Sequence, residues 1–139
     1  MSYDDDNIFA KILRGELPCE KVYEDDATFA LMDIMPRVDG HVLVIPKSPA
    51  RNMLDAGTEQ LSQCLATAQL IARAQIEGLG ADGITVQQFN ETAGGQEVFH
   101  LHYHVLPRHE GDRLRPPGTK EKPEVLKAHA DKIRSALNR

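Results

Sequence analysis

The stretch His100-Leu101-His102-Tyr103-His104-Val105-Leu106-Pro107 alternates histidines with apolar and aromatic residues. Successive side chains of a strand point to opposite faces. The alternation therefore predicts a strand with His100, His102 and His104 on one face and an apolar opposite face. Half of the six histidines in the chain lie in this row. Because imidazole exchanges its proton near neutral pH, we interpret the row as the active centre.

The histidine row admits three interpretations, which are nucleophilic or acid-base chemistry, metal binding, and a solvated polar sheet face. A strand rises by roughly 3.3 Å per residue, so neighbouring histidines are ~6.6 Å apart and one metal ion could join two of them but not all three. Thiolate ligands are scarce, because Cys19 and Cys64 are far apart and form no C-x-x-C pair. The spacing favours nucleophilic or acid-base chemistry.

The composition is typical of a compact enzyme. With 139 residues, 41% of them hydrophobic, the chain is predicted to form one domain over 1–139 with a sizeable core. A net charge of −5 argues against a nucleic-acid partner. We expect no membrane partner, since no apolar run approaches ~18 residues. The acidic N-terminus lacks the features of a secretory signal, and two unpaired cysteines fit a reducing compartment, which predicts a cytoplasmic location.

Apolar periodicity predicts the order helix, hairpin, strand, helix, hairpin, helix. Short turns between most strands indicate an antiparallel sheet covered by separate helices, so the predicted class is α+β. The long helix is expected to begin at Thr58 and end before Gly78 and Gly80. Its apolar stripe is predicted at Leu61, Leu65, Ala68 and Ala72, flanked by Ile71 and by Cys64, which is expected in the core. The other predicted elements span residues 7–14, 21–24, 28–33, 41–46, 83–89 and 98–107, with a final helix from about residue 123.

The loop ahead of the histidine row contains Gly94 and Gly95. Glycines let backbone N–H groups approach an anion without a side chain in the way, which suits a phosphate. A plain hairpin turn would need the same residues. Together with the adjacent imidazoles, the loop favours chemistry on phosphorus.

The stretch 100–106 resembles the H-φ-H-φ-H-φ-φ signature of the histidine-triad (HIT) superfamily, where φ is apolar. The resemblance covers roughly residues 7–108. It includes Asn7-Ile8-Phe9-Ala10-Lys11-Ile12-Leu13, Glu16-Leu17-Pro18, Val22-Tyr23-Glu24-Asp25-Asp26, Met32-Asp33-Ile34 with Pro36, Gly40-His41-Val42-Leu43-Val44-Ile45-Pro46-Lys47, and Gly95-Gln96-Glu97-Val98-Phe99.

The resemblance implies a HIT-like α+β fold. Its parts are a five-stranded antiparallel sheet, a long central helix and a C-terminal helix. It also implies one HIT domain with its core at 7–108 and a C-terminal extension and helix at 109–139. Members of the superfamily are usually homodimers that hydrolyse or transfer nucleoside monophosphate groups, so the implied ligand is a purine nucleotide or a nucleotide conjugate.

The resemblance also implies roles for the histidines. The middle one, His102, is the nucleophile that attacks the α-phosphorus to form a nucleotidyl-histidine, which water then cleaves. His104 donates a hydrogen bond to a phosphate oxygen or to the bridging atom, while His100 and His41 orient the row.

Nucleotide-binding residues follow from the same resemblance. Asp33 accepts hydrogen bonds from the ribose hydroxyls. The apolar pocket for the base is formed by Ile8, Phe9, Ile12, Leu31, Ile34 and Leu43. The phosphate-contacting loop contains Asn90, Gly95, Gln96, Glu97 and Val98.

Departures from the superfamily pattern limit what the resemblance implies. Some members hold structural zinc through an N-terminal C-x-x-C pair, and Asn7 and Ala10 stand at those positions here. We therefore expect no structural zinc and no required cofactor. In the phosphoramidase branch a serine precedes the triad, where this chain has Glu97. The substrate is left open between a nucleoside phosphoramidate and a dinucleoside polyphosphate. The alternative function is a non-catalytic dimeric regulatory module that binds nucleotide or zinc.

Overall fold

The computed structural model describes residues 2–138 and consists of five strands and three α-helices. The elements are α1 (Ile8–Leu13), β1 (Lys21–Glu24), β2 (Thr28–Met32), β3 (Val42–Pro46), α2 (Thr58–Leu79), β4 (Gly83–Gln87), β5 (Tyr103–Arg108) and α3 (Pro123–Leu137), with a 3₁₀ turn at Thr92–Gly94 between β4 and β5. The strands form one antiparallel sheet in the order β1-β2-β3-β5-β4. The predicted class, strand number and element order are confirmed.

The sheet is covered unequally on its two faces. On one face, α2 and α3 pack on alternate residues of the strands, including Val42, Val44 and Val105, and form the main core. A smaller apolar cluster on the other face contains Phe9 of α1 with Leu31 and Leu43. Every residue of β2 and of β3 is buried, which agrees with continuous apolar runs rather than an alternating pattern.

Helix α2 differs from its prediction in both its end and its orientation. It runs through Gly78 to Leu79 and stops at Gly80, whose φ of 68° is left-handed. Its buried residues include Cys64, Ala68 and Ile71, whereas Leu65 is 51% exposed, so the predicted stripe is rotated. Small residues predominate among the buried positions of α2, and they allow the helix to approach its neighbours closely; they are Cys64, Thr67, Ala68 and Ala74.

Strand β5 begins later than predicted. Its first residue is Tyr103, so His104 lies in the strand while His100 and His102 lie in the connection that precedes it. Leu101 donates its backbone N–H to the carbonyl oxygen of Ala50 at 2.8 Å instead of joining the sheet. The prediction of one strand over 98–107 is therefore wrong in its first five residues, because a loop competes for their backbone hydrogen bonds.

A buried glutamine joins α2 to the segment before β3 and to the interior of β5. The Gln75 side-chain amide donates to the carbonyl oxygens of Gly40, at 3.0 Å, and of Val105, at 2.9 Å. Gly40 immediately precedes His41, and Val105 immediately follows His104. The helix thereby holds the two histidine-bearing segments together.

The helices of residues 2–138 include none that is both long and apolar enough to cross a membrane.

The crossing of α2 and α3 tests the packing directly. A Cβ atom added at Gly78 would lie 2.6 Å from the carbonyl oxygen of Lys132, which is backbone and cannot move aside. We expect Gly78→Ala to lower the free energy of unfolding in urea by about 1–3 kcal/mol. Gly83→Ala is the matched control, because a Cβ there meets no atom within 4 Å. Equal stability of the two variants would contradict the close approach.

Candidate active site

His102 is held in one tautomer by the main chain. Its Nδ1 lies 2.6 Å from the carbonyl oxygen of His100, and the ring is buried. Because a carbonyl oxygen only accepts, Nδ1 must carry the proton and Nε2 must carry the free lone pair. Burial lowers the pKa of His102, so the ring is neutral. The structure therefore leaves a nucleophilic nitrogen at Nε2.

His41 and His104 form a second unit with a defined proton arrangement. The backbone N–H of Arg37 donates to Nδ1 of His41 at 3.1 Å, so a neutral His41 carries its proton on Nε2. That nitrogen lies 3.0 Å from Nδ1 of His104 and donates to it, which leaves the His104 proton on Nε2. Burial lowers the pKa of both rings to about 3. His104 is therefore a neutral hydrogen-bond donor.

The rings of His102 and His104 are close neighbours. Their centroids are 5.0 Å apart, which is shorter than the ~6.6 Å separation expected from the rise of a strand. A lone pair on one Nε2 and an N–H on the other are thus presented side by side. Such a pair can attack an electrophile and stabilise the charge that develops on the displaced or non-bridging atom.

His100 supports the site rather than facing it. Its Nε2 lies 2.8 Å from the carbonyl oxygen of Pro46, and the side chain is 1% exposed. Burial lowers the pKa of His100 to about 4. The contribution of His100 to its neighbour is made by its carbonyl group, which receives the His102 proton.

Asp33 directly follows β2 and lies beside His41. One carboxylate oxygen accepts the backbone N–H of Met35 at 2.9 Å, and the other lies 3.5 Å from Nε2 of His41. Burial raises the pKa of Asp33 to about 6. A half-buried carboxylate with unused acceptor capacity suits the binding of hydroxyl groups.

Asp33, His41 and His104 are also the group within residues 2–138 whose possible metal-ligating atoms all lie within 4.8 Å of one another. A metal ion there would need Nε2 of His41 without its proton. The Arg37 N–H donates to Nδ1 of His41, so the His41 proton is on Nε2. The arrangement therefore favours the hydrogen bond from Nε2 to His104 over a metal ion.

The predicted base-pocket residues are divided between cluster and surface. Phe9, Leu31 and Leu43 are buried in the smaller apolar cluster, with Ile12 packed against it. Ile8 and Ile34 are instead about half exposed. Phe9 lies 4.9 Å, centroid to centroid, from the His102 ring, so this cluster adjoins the central histidine.

The predicted phosphate loop is stabilised by the side chain of Gln96. Its Nε2 donates to the carbonyl oxygens of Arg51 and Val98, at 2.7 and 3.0 Å. Its Oε1 accepts from Asn52 and from the backbone N–H of Glu91, at 2.9 and 2.8 Å. The amide is used fully inside the loop, so an anion would meet Gln96 through its main chain.

The other loop residues lie around this amide. The Asn90 Oδ1 accepts the Met53 N–H at 2.8 Å, and Val98 packs against the smaller apolar cluster. Glu97 is exposed. Gly95 has a φ of 99°, which favours glycine, and a Cβ there would lie 3.3 Å from the Phe89 ring.

Sequence reasoning missed a second group of residues that build the site. Arg51 pairs with Glu91 through two hydrogen bonds of 2.8 and 2.9 Å and lies over the Phe99 ring. Glu91 adopts a φ of 65°, which is uncommon outside glycine and marks a constrained loop. The spacing of Arg51 and Glu91 in the sequence matches no motif. The Arg37 N–H and the Pro46 carbonyl are backbone groups with no residue signature.

The fold and the site define an α+β protein with a histidine-centred reaction site. A family model, the HIT domain, matches residues 14–111. The chain belongs to the HIT family, and its general kind is that of the nucleotide-binding hydrolases and transferases.

Solved structures and a plant relative show the same relationship. A Hit-like protein of Bartonella henselae is 51% identical, with a TM-score of 0.92 over 97% of this chain and 99% of that one. The hypothetical histidine triad nucleotide-binding protein ST2152 of Sulfolobus tokodaii is 30% identical, with a TM-score of 0.87 over 94% of this chain and 91% of that one. Adenylylsulfatase HINT3 of Arabidopsis thaliana is 37% identical over 78% of this chain and 55% of its own length.

The raised pKa of Asp33 predicts a pH-dependent cost to stability. The folded-state pKa of about 6 exceeds an unfolded value of about 3.9, so the stability contribution is full at low pH and is lost as the pH rises through 6. We expect Asp33→Asn to raise the free energy of unfolding at pH 8, and this gain to be about 1.4 kcal/mol smaller at pH 5.

Urea unfolding at the two pH values measures this difference. Asp26→Asn is the control, since it makes the same substitution at an exposed residue in the turn between β1 and β2. A gain for Asp33→Asn that is the same at both pH values would contradict a raised pKa.

Proposed function

We propose that this protein hydrolyses or transfers nucleoside monophosphate groups through a covalent intermediate on His102. The observation that carries the proposal is the 2.6 Å hydrogen bond from His102 Nδ1 to the His100 carbonyl oxygen. It fixes the proton on Nδ1, and burial lowers the pKa of His102 so that the ring is neutral with its lone pair on Nε2, which is the state that a nucleophile requires.

In the first step, Nε2 of His102 attacks the α-phosphorus, the N–P bond forms, and the bond from phosphorus to the leaving group breaks. The modified ring is then an imidazolium, and its Nδ1–H remains hydrogen-bonded to the His100 carbonyl, which stabilises the positive charge. In the second step, water attacks the same phosphorus, an O–P bond forms, the N–P bond to His102 breaks and one proton of the water passes to solvent, which releases the nucleoside monophosphate and restores the neutral ring. The His104 N–H hydrogen-bonds to an oxygen or to the bridging atom of the reacting group.

We propose that the nucleotide binds on both sides of the His102–His104 pair. The apolar cluster that contains Phe9, Leu31 and Leu43 receives the base, with Ile8, Ile12 and Ile34 at its edge. Asp33 accepts from the ribose hydroxyls. Backbone groups of the loop 90–98 contact the phosphates, since its side-chain amide at Gln96 is already satisfied.

The leaving group is proposed from three chemical classes. Nucleoside phosphoramidates and dinucleoside polyphosphates follow from the resemblance of the histidine stretch. The name of the plant relative, adenylylsulfatase, adds a nucleotidyl sulfate. All three place a displaceable group on the α-phosphorus of a nucleotide, so the same nucleophile can attack each of them.

We propose that the protein acts without a metal cofactor. The Asn7 side chain accepts the Ala10 N–H at 2.9 Å and so caps α1, and Ala10 is buried. Neither residue offers a thiolate to a structural zinc ion. The free Cys19 and Cys64 suit the reducing conditions of the cytoplasm, where we place the protein.

A homodimer is proposed from the uncovered edge of the sheet. Helix α3 packs on α2 and on β1, so it covers the flank of α2 nearest β1. Leu65 and Ile76 lie on the opposite flank of α2 and are about half exposed, as is Val86 on the edge strand β4. An apolar flank beside an open strand edge is typical of a surface that a second copy covers.

Loss of the nucleophile tests the catalytic proposal. We expect wild type to release AMP from at least one of three substrates, namely adenosine 5′-phosphoramidate, a diadenosine polyphosphate and adenylyl sulfate, with EDTA present. His102→Ala should lower kcat/KM by at least about 10³-fold and leave AMP affinity within a few-fold, because only the reacting bond is lost.

His109→Ala is the matched control, since His109 is exposed and outside the triad, and it should retain activity. Equal activity of wild type and His102→Ala would refute the covalent mechanism. Nucleotide binding by folded wild type without release of AMP from any substrate would instead support a non-catalytic module.

The dimer is tested by charge on the apolar flank. We expect the double variant Leu65→Glu, Val86→Asp to halve the mass measured by light scattering, because burying the new charges opposes association. Leu70→Glu is the control, since Leu70 is exposed but lies about 140° round the helix from Leu65. A monomeric wild type would refute the dimer.

A further inference from the structure

The segment before α1 contacts Arg51 and His100. The carbonyl oxygen of Ser2 accepts from the Arg51 guanidinium at 3.2 Å. One residue later, the Tyr3 hydroxyl lies 2.7 Å from Nδ1 of His100, and the two rings meet edge to face with centroids 5.6 Å apart. Neither the HIT signature nor the family match, which begins at residue 14, includes Tyr3.

The direction of the Tyr3 hydrogen bond follows from the far side of the His100 ring. Nε2 of His100 lies 2.8 Å from the Pro46 carbonyl oxygen and must donate to it. A neutral ring then has a lone pair on Nδ1, so the Tyr3 hydroxyl is the donor. The His100 ring is therefore fixed at both nitrogens, by β3 on one side and by the N-terminal segment on the other.

Fixing this ring matters because His100 lies outside the strand. Residues 98–102 are not paired in the sheet, so the ladder does not set the position of the His100 carbonyl group. That carbonyl fixes the tautomer of His102. The side chain of the same residue is consequently an anchor for the group that controls the nucleophile, and the 2.7 Å bond from Tyr3 is one of its two polar attachments.

We infer that Tyr3 is a positioning residue for the nucleophile, acting through His100. Its hydroxyl orients the His100 ring, the ring holds the connection that precedes β5, and the carbonyl of that connection keeps the proton of His102 on Nδ1. Phe9 contributes from the same side, with its ring 6.3 Å from that of His100 and 4.9 Å from that of His102. This inference rests on the proposed function for its kinetic part only.

Tyr3→Phe tests the role of the hydroxyl, because it removes one oxygen and keeps the ring that packs on His100. Tyr23→Phe is the matched control, since its hydroxyl donates to Asp25 at 3.0 Å in the turn that follows β1. Three quantities are measured with protein carrying ¹⁵N-labelled histidine. They are the exchange of the His102 Nδ1–H with water, assigned by its absence in His102→Asn, and kcat and KM for AMP release.

We expect Tyr3→Phe to speed the exchange of the His102 Nδ1–H at least tenfold and to lower kcat about three- to tenfold, with KM changed less than twofold. Tyr23→Phe should match wild type in all three. Unchanged exchange in Tyr3→Phe would overturn the inference, and so would loss of folding, which would assign the hydroxyl to stability alone. A wild type that releases no AMP would refute the proposed function, and the exchange rate alone would then decide the role of Tyr3.

Discussion

A main-chain carbonyl determines which nitrogen of the central histidine is free for chemistry. The carbonyl group of His100 is available to His102 because residues 98–102 are not paired in the sheet. Had β5 begun at Val98, as alternation suggests, the carbonyl would have belonged to the ladder, where strand carbonyls are used. The strand that begins at Tyr103 holds His104 instead. His102, in the loop, therefore carries its proton on Nδ1, whereas His104, in the strand, carries its proton on Nε2.

Much of the fold could be predicted because its signals are local. The apolar run ending at Pro46 predicted β3, and the pattern from Pro123 predicted α3, since burial and proline act on their own neighbourhoods. The errors come from tertiary contacts. The face of α2 that is buried depends on close approach to the sheet, so Leu65 was placed wrongly, and Gly78 remains helical because α3 crosses there.

The candidate site divides in the same way. Periodicity identified the histidine row, and the resemblance added His41, which the structure joins to His104 by a 3.0 Å hydrogen bond. Neither the periodicity nor the resemblance predicted Tyr3, because the sequence does not show which distant residue will contact a given ring. The backbone donor of Arg37 has no side-chain signature at all. The residues proposed to react carry recognisable chemistry, whereas the groups that orient them are selected by position.

The Gln75 amide has a consequence for how the site responds to a ligand. It is bonded to the carbonyl groups of Gly40 and Val105, which flank His41 and His104, so one rigid helix sets the spacing of both rings before any substrate arrives. Little reorganisation energy is then spent when the anion binds, and the hydrogen-bonded pair is preorganised. The same helix carries Leu65 of the apolar flank, so that surface and the amide that joins the two histidine-bearing segments belong to one continuous element.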